Sequence, residues 1–327
     1  MWLMQWMVLG CSSGKGSGEW NDDTAASTPV ENLDADGDGF PRWDTTDDAT
    51  IADCDDDDPL VTPAVERYIP AGSFLRGSPL MLDTTPEREI YLSDYCMDVY
   101  EVSNDQFAAF LIAQSEVGLE NVTTEGLPLF DFEDDDDIYP ERIEIDSEQG
   151  YRSQSGYENH PVTEVWQWSG TAFCEWGGKR LPSEAEWEKG ARGTDGRSYP
   201  WGEAEPTCDI ANYGTVEVRC VGDTVDVGSY PDGVSPYGLH DMAGNVAEFV
   251  FDWYSSSYYA EAPDTDPMGP DSGEVVQDQQ GNAFEAIIAR SGNHATGPRD
   301  LRTFARIAEP ADATSNGVGF RCARPLQ

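Results

Sequence analysis

Most of the chain alternates short apolar runs with glycine, proline and aspartate, which predicts short strands joined by many turns. Residues 68–77 and 89–102 are two such segments, rich in Tyr, Ile, Leu and Val. Ser103 and Gln106 follow with the spacing of a capping box, so a helix is predicted to begin there. The apolar face of that helix consists of Phe107, Phe110 and Leu111. Because the next position on that face is the polar Gln114, the helix is predicted to be short.

Two further helices are predicted in the middle of the chain. The first begins near Ser169 and ends at Gly177. The second begins after Ser183, which has capping-box spacing to Glu186, and it ends before Gly193. Few helices, short strands and ten tryptophans favour an irregular, aromatic-packed domain rather than a helical bundle.

Acidic residues strongly outnumber basic ones: 63 Asp and Glu stand against 19 Lys and Arg, a formal net charge of −44. Nucleic acids and anionic lipid surfaces are therefore not expected as partners, because both carry negative charge. Composition also divides the chain into an apolar N-terminal run (1–11), a flexible tether (12–33), an acidic module (34–63) and a large domain (65–327). An acidic insertion at about 116–158 of that domain is predicted to be a solvated loop without chemistry.

The acidic module has the spacing of a calcium loop. Asp34, Asp36, Asp38 and Gly39 take the positions of the first ligands and the glycine of an EF-hand. The position of the final Glu ligand is Thr45, so the segment is not an EF-hand. Crowded carboxylates repel one another unless a cation bridges them, and we expect weak Ca²⁺ binding here. The alternative is a solvated acidic linker.

The N-terminal apolar run ends in Val8-Leu-Gly-Cys11, which resembles a bacterial lipobox. A lipidated Cys11 would hold the protein in the cell envelope, so the expected protein is lipid-anchored or secreted and meets the membrane only through its lipid. No Lys or Arg precedes the run and the run is short for a signal sequence, so the alternative is a chance cysteine in an apolar segment. No other stretch approaches transmembrane length.

Residues 237–253 combine a glycine turn, two acids seven residues apart, Asp241 and Glu248, and an apolar, aromatic tail. The tail is predicted to bury Asp241 and Glu248, and few basic residues lie nearby in the sequence. Ca²⁺ is a suitable partner because it binds carboxylates together with carbonyl oxygens freed at a glycine turn. The predicted ligands are these two side chains and the carbonyls of Gly244 and Val246. The alternative is a glycine turn ahead of a buried strand, with both acids at its rim.

Three strings carry a resemblance to a known family: Lys179-Arg-Leu-Pro-Ser-Glu-Ala-Glu-Trp-Glu188, Tyr199-Pro-Trp-Gly202 and Gly238-Leu-His-Asp-Met-Ala-Gly-Asn-Val-Ala-Glu-Phe249. Over roughly 65–326 the chain resembles the formylglycine-generating enzyme (sulfatase-modifying factor) family. The resemblance implies an irregular, C-type-lectin-like α+β core. It also implies that the residues matching Asp241, Gly244, Val246 and Glu248 bind a structural Ca²⁺.

A second calcium site is implied by the same resemblance. In the string Cys208-Asp-Ile-Ala-Asn212-Tyr213, the side chain of Asn212 and the carbonyl of Tyr213 match family ligands. Asp223 is the candidate for the other side of the site, where the loop length differs from the family pattern. The alternative is a turn capped by Asn212.

Seven cysteines leave six for pairing if Cys11 is lipidated. Cys174 and Cys322 match a family pair that forms a structural disulfide. Cys208 and Cys220 flank a short loop and are predicted to pair locally. Cys54 and Cys96 remain, and their pairing is left open.

The sequence departs from the family pattern at the copper site. Family enzymes hold Cu(I) with two cysteines that precede the final Gly-Phe-Arg-Cys string, whereas here no cysteine lies between Cys220 and Cys322. Copper is therefore not expected. The groove at this place would present Asn293, His294 and Arg299, which suit a peptide or small anionic ligand. Alternatively, Arg302 and Arg306 bridge carboxylates within the core.

Together these features predict a non-catalytic, Ca²⁺-stabilised binding module on a bacterial surface lipoprotein. The second hypothesis is a formylglycine-generating oxidase, or a related oxidoreductase, with a divergent active site. A third is a purely structural envelope protein, which the charge and the tether would also suit.

Overall fold

The computed structural model describes residues 42, 52, 54, 55, 62, 64–132, 141–147, 150–278 and 280–326. The α-helices of these residues are α1 (Asn104–Glu116), α2 (Gln167–Trp176), α3 (Glu184–Arg192) and α4 (Tyr258–Glu261). The strands are β1 (Glu66–Ile69), β2 (Gly72–Arg76), β3 (Arg88–Leu92), β4 (Tyr95–Asp98), β5 (Ile143–Asp146), β6 (Gly150–Ser153), β7 (Ala247–Trp253), β8 (Val275–Gln277), β9 (Ala283–Arg290), β10 (Ile307–Pro310), β11 (Val318–Phe320) and β12 (Ala323–Pro325). The predicted α+β class, with short strands and few helices, is confirmed.

The strands form several small sheets. The largest has the order β10-β9-β7-β11, with β8 also paired to β9, and only β11 runs parallel to its neighbour β7. A second sheet joins β1, β4 and β12, so the end of the chain pairs beside its early strands. The hairpins β2-β3 and β5-β6 complete the set in the described residues.

Both capping boxes were predicted correctly. Ser103 Oγ accepts the Gln106 N–H at 3.4 Å while Gln106 Oε1 accepts the Ser103 N–H at 2.8 Å. However, α1 continues to Glu116, so the prediction of a short helix is wrong. The ring of Phe107 stacks on Phe173 of α2 at 5.8 Å, and such tertiary contacts stabilise the helix beyond its own pattern.

The third helix is buried along its whole length. All nine residues of α3 are buried, although five of them are charged, and Ser183 caps the helix as predicted. Ala185, Trp187 and Ala191 join an apolar cluster formed mainly by the early strands β1 to β4. The charged residues of α3 therefore need partners inside the domain.

The prediction that residues 116–158 form a solvated loop is wrong for the residues described. The side chains of Leu129, Phe130, Ile143 and Tyr151 belong to the main apolar cluster, together with residues of α1, α2 and β11. Strands β5 and β6 pair within this segment. Short apolar stretches between the acidic residues are enough to anchor it to the core.

The chain contains no helix, among the residues with described structure, that is long and apolar enough to cross a membrane. Cys11, Asp34, Asp36 and Asp38 lie outside the described residues, so lipidation and the calcium loop of the acidic module stay predictions.

Candidate metal and ligand sites

The glycine turn before β7 approaches another backbone segment closely. Gly244 has a φ of +90°, and a Cβ there would lie 2.3 Å from the carbonyl oxygen of Asn212. Asn245, at φ 61°, donates its backbone N–H to that same oxygen at 2.8 Å. The turn thus places the two predicted calcium segments against each other, which the sequence could not show.

Both acids of this stretch are buried, as predicted, but Glu248 has a basic partner. Arg321 donates to its two carboxylate oxygens from Nε at 2.7 Å and from Nη2 at 2.8 Å. The indole N–H of Trp187 also reaches Glu248, at 2.8 Å. Few basic residues lie near Glu248 in the sequence, but the expectation is wrong for the folded domain. Arg321, between β11 and β12, lies next to Glu248 there.

A third carboxylate, which the sequence did not identify, lies beside this pair. Glu101 is 1 % exposed and accepts from the Asn245 side chain at 2.6 Å and from the Val246 N–H at 3.2 Å. Burial, and then the charges of Asp241 and Glu248, raise the pKa of Glu101. Burial raises the pKa of Asp241 to about 6.

The charges around Arg321 do not balance when all three carboxylates are ionised. One guanidinium faces Glu101, Asp241 and Glu248, each of which raises the pKa of Arg321. A divalent cation would neutralise this excess. The three carboxylates do not bring one oxygen each within 4.8 Å of one another, so a cation at this place would also need the carbonyls of Gly244 and Val246 as ligands.

In the second predicted calcium site, one predicted ligand has a buried oxygen without a hydrogen-bond partner. Asn212 Oδ1 is buried without a hydrogen-bond partner, whereas its amide N–H donates to the carbonyl of Asp223 at 2.8 Å. The carboxylate of Asp223 is held by Arg142 Nη2, at 2.8 Å from both oxygens. The carbonyl of Tyr213 accepts the Cys220 N–H at 3.1 Å. Asn212 fits a cation, while Asp223 is already paired with a base.

The three predicted groove residues differ in their exposure to solvent. His294 is buried and contacts the carbonyl of Asn245 at 3.2 Å through Nδ1. The side chain of Asn293 donates to the carbonyl of Gly317, directly before β11, at 3.2 Å. Arg299 is exposed. Two of these side chains therefore contact backbone carbonyls, and ligand binding at this place stays a prediction.

Arginines of the same segment serve the core instead. Arg290 and Arg306 are fully buried and bind Glu184 at 2.7 and 2.6 Å. Arg76 binds the other oxygen of Glu184 at 3.0 Å, and Arg290 also reaches Glu188 at 3.2 Å. The alternative interpretation, a bridge to core carboxylates, is confirmed for Arg306, whereas the guanidinium of Arg302 lies 6.0 Å from the ring of Phe304.

All six described cysteines are paired. The disulfides are Cys54–Cys96, Cys174–Cys322 and Cys208–Cys220, so both predicted pairs are confirmed and the open pair is resolved. The remaining cysteine of the chain, Cys11, lies outside the described residues. A pair of thiolates that would fit Cu(I) is thus not offered by the described residues.

An irregular α+β core with these strings, disulfides and glycine turn defines a domain of the formylglycine-generating-enzyme type. Residues 57–326 match the model of the sulfatase-modifying factor enzyme 1-like domain, and the chain belongs to this family.

Two groups of relatives differ in the activity their names describe. The chain is 34 % identical over 292 residues to the formylglycine-generating enzyme of Thermomonospora curvata, covering 78 % of this chain and 91 % of that enzyme. It is 35 % identical over 280 residues to the serine/threonine-protein kinase Pkn1 of Chlamydia trachomatis serovar L2, covering 82 % of this chain. The chain spans 39 % of the length of that chlamydial protein.

Solved structures share the fold at lower identity. PvdO from Pseudomonas aeruginosa superposes with a TM-score of 0.58 at 23 % identity, over 80 % of this chain and 94 % of PvdO. Treponema denticola variable protein 1 gives 0.53 at 21 %, over 80 % of this chain and 95 % of that protein.

Proposed function

We propose that this domain is a non-catalytic binding module of its family, stabilised by Ca²⁺ and without the copper oxidase chemistry of formylglycine-generating enzymes. The observation that carries the proposal is the state of the cysteines. Every described cysteine is in a disulfide, and none occurs between Cys220 and Cys322, where the family resemblance puts the copper ligands. A disulfide sulfur is a poor Cu(I) ligand, because the metal requires thiolates.

The surroundings of this segment support the same proposal. Arg290 and Arg306 flank it, and their guanidinium groups are committed to Glu184 inside the core. His294 is buried, and burial lowers its pKa. The segment is therefore occupied with holding the domain together, which favours a domain kept for its shape and surface.

The decisive experiment is a Cu(I) titration of the purified, disulfide-intact protein, with oxygen uptake followed on a cysteine-containing sulfatase peptide. We expect no copper-dependent oxygen uptake above a peptide-free blank. The Thermomonospora curvata enzyme, assayed in parallel, is the positive control for the copper preparation and the peptide substrate. Copper-dependent turnover by this chain would contradict the proposal and would favour an oxidase with a divergent site.

Calcium is the stabilising cation in this proposal. It is supported by the surplus of carboxylates around Arg321 and by the unpartnered Oδ1 of Asn212. Chelation with EDTA is expected to lower the melting temperature, because a ligand at 100 times its Kd stabilises a protein by about 2.7 kcal/mol. Asp241→Asn and Asn212→Ala should each reduce the calcium-dependent shift. The exposed control Asp271→Asn should keep it, and a melt unaffected by EDTA would rule out both domain sites.

The cell-envelope location rests on Cys11 and the acidic segment after it. In this proposal Cys11 carries the lipid, and Asp34, Asp36 and Asp38 bind Ca²⁺ in the stalk. Detergent phase partitioning of the full-length protein expressed in a bacterium tests the anchor. The wild type should enter the detergent phase and Cys11→Ser should not; equal partitioning of the two would reject lipidation.

A further inference from the structure

A small cavity lies between the end of β4, the start of α1 and the end of α2. Its volume is about 210 Å³, below the roughly 300–1,000 Å³ of sites for drug-sized ligands. The buried Cys174–Cys322 disulfide lines it, as do Val65 and Val102. No residue of 289–306 lines it, so this site is separate from the segment that decides copper chemistry. Its size suits a single side chain or a small headgroup.

Aromatic rings form two of its walls and are held in place from behind. Tyr100 is 36 % exposed, and its ring lies 4.9 Å from that of His240. Trp176 is 50 % exposed, with ring centroids 5.6 Å from Phe110 and 5.9 Å from Phe173. Rings that are fixed on one side and open to a cavity on the other present their faces to a ligand at little entropic cost.

The charged side chains that line the cavity are of both signs. Asp98 and Glu101 line it together with one base, Lys179. The Nζ of Lys179 lies 2.5 Å from both Asp98 and Glu66, so these carboxylates compensate its charge and hold it at the cavity wall. Asp98 also accepts the Cys322 N–H at 3.0 Å, and Glu66 also binds Arg324 at 3.2 Å. The C-terminal end of α2 also borders the cavity, and its last turn contains no basic residue to offset the negative end of the helix dipole.

We propose that this cavity binds a small organic cation, an alkylammonium or guanidinium group on a short apolar stem. The apolar stem packs on Val65 and Val102, and the charge lies against Tyr100 and Trp176 and beside Asp98. Cations bind aromatic faces through the ring quadrupole, and the net charge of −44 attracts them over a longer range. The cation comes either as a free amine or as a lysine or arginine side chain of a basic partner.

The test is a ligand-observed NMR titration of the full chain, with n-butylammonium as the probe and Ca²⁺ present but no copper. We expect saturable binding of n-butylammonium. The affinity of its neutral analogue 1-butanol should be at least about tenfold lower. Butyrate should not compete. Equal binding of the amine and the alcohol, or no saturable binding of the amine, would overturn the proposal.

Variants locate the site. Trp176→Ala is expected to weaken amine binding about tenfold, while Trp176→Phe keeps a ring and should bind within about threefold. Phe251→Ala is the matched control, because Phe251 is 46 % exposed and does not line the cavity. Should Trp176→Ala fail to fold in a thermal melt, Tyr100→Leu takes its place. Unchanged affinity in the folded variant would overturn the assignment to this cavity.

The source of the cation is separated by a second probe. An acetylated, amidated peptide with one central lysine is compared with its norleucine counterpart. Tighter binding of the lysine peptide than of n-butylammonium assigns the cavity to a basic partner chain, and the reverse assigns it to a free amine. Failure of both probes would reject this site, yet it would leave the proposal of a copper-free, calcium-stabilised domain untouched.

Discussion

At the scale of single residues, the distinctive feature is paired charge in the core. Burial opposes ionisation of Glu184, but Arg306, Arg290 and Arg76 outweigh it and lower the pKa of this carboxyl to about 2. Removing one partner from such a buried set typically costs about 3–5 kcal/mol, because the others are left uncompensated. The network therefore fixes where the segment around Arg290 lies, rather than simply adding stability.

Asp252 lies beside Glu184, and its surroundings oppose ionisation of its carboxyl group. It is 1 % exposed, and one carboxylate oxygen accepts the Glu184 N–H at 2.7 Å while the other has no hydrogen-bond partner. Burial, and then the negative charge of Glu184, raise the pKa of Asp252 to about 7. The folded protein thus keeps a proton between about pH 4 and pH 7 that the unfolded chain releases.

The free energy of unfolding should therefore fall as pH rises through this range, by roughly 2–4 kcal/mol from Asp252 alone. Asp252→Asn cannot titrate, and it should remove this part of the pH dependence. Urea unfolding of wild type and variant at pH 5, 6, 7 and 8 measures the difference in their free energies of unfolding. The contributions of the histidines are the same in both proteins and cancel in this difference. Glu184 contributes mainly below pH 4.5, outside this window.

The exposed Asp271→Asn is the control for this comparison. It should follow the wild-type pH dependence. Parallel curves for wild type and Asp252→Asn would show that Asp252 is ionised in the folded protein at pH 6.

At the scale of elements, α3 is an amphipathic sequence placed in a fully buried position. Its start is defined by Ser183, whose Oγ accepts the Glu186 N–H at 3.2 Å, while Glu186 accepts the Ser183 N–H at 2.8 Å. Arg180 fixes Glu186 from the other side at 2.6 Å. An exposed helix end can turn to water for its free N–H groups, but this buried end cannot.

Ser183→Ala is therefore expected to lower the free energy of unfolding by about 1–2 kcal/mol, at the upper end for lost caps. Ser257→Ala is the matched control, since Ser257 precedes α4 without making a side-chain capping bond. Chemical denaturation of the two variants gives the comparison. Equal small losses in both would mean that the capping box of α3 adds nothing to its packing.

At the scale of the whole molecule, the last strand returns to the early strands of the domain. Strand β12 pairs with β4, and Cys322 beside it is linked to Cys174, 148 residues earlier. The Cys208–Cys220 disulfide closes a loop with a separation of only 12 residues. A crosslink restricts the unfolded chain more when it closes a longer loop.

Replacing Cys174 and Cys322 by Ala together should cost about 5 kcal/mol on this chain-entropy argument, against about 3 kcal/mol for Cys208 and Cys220. Urea midpoints of the two double variants under non-reducing conditions test the order. A larger loss from the short loop would show that native packing around that disulfide, rather than loop length, decides its contribution.

Several features were accessible from the sequence because they depend on neighbouring residues. Capping boxes act over three positions, and the start of α1 and both ends of α3 were predicted accordingly. The pairing of Cys208 with Cys220 is local in the same sense. The burial of Asp241 and Glu248 followed from the apolar tail beside them.

The calcium candidates show where such reasoning ends. Arg321 meets Glu248 across 73 residues, and Glu101 meets Asn245 across 144, so no spacing rule connects them. The length of α1 depends on contacts with Phe173 in another helix. The burial of His294 against the carbonyl of Asn245, 49 residues earlier, depends on the same kind of long-range contact.

The sequence by itself therefore determined the family, the fold class, the local caps and the missing copper cysteines, because each is carried by residue identity or by short spacing. Only the tertiary structure decided which charges are paired, how far α1 extends, and that Tyr100 and Trp176 enclose a cavity beside Asp98. Burial and long-range contacts set the energies of these features, and both arise when distant segments meet.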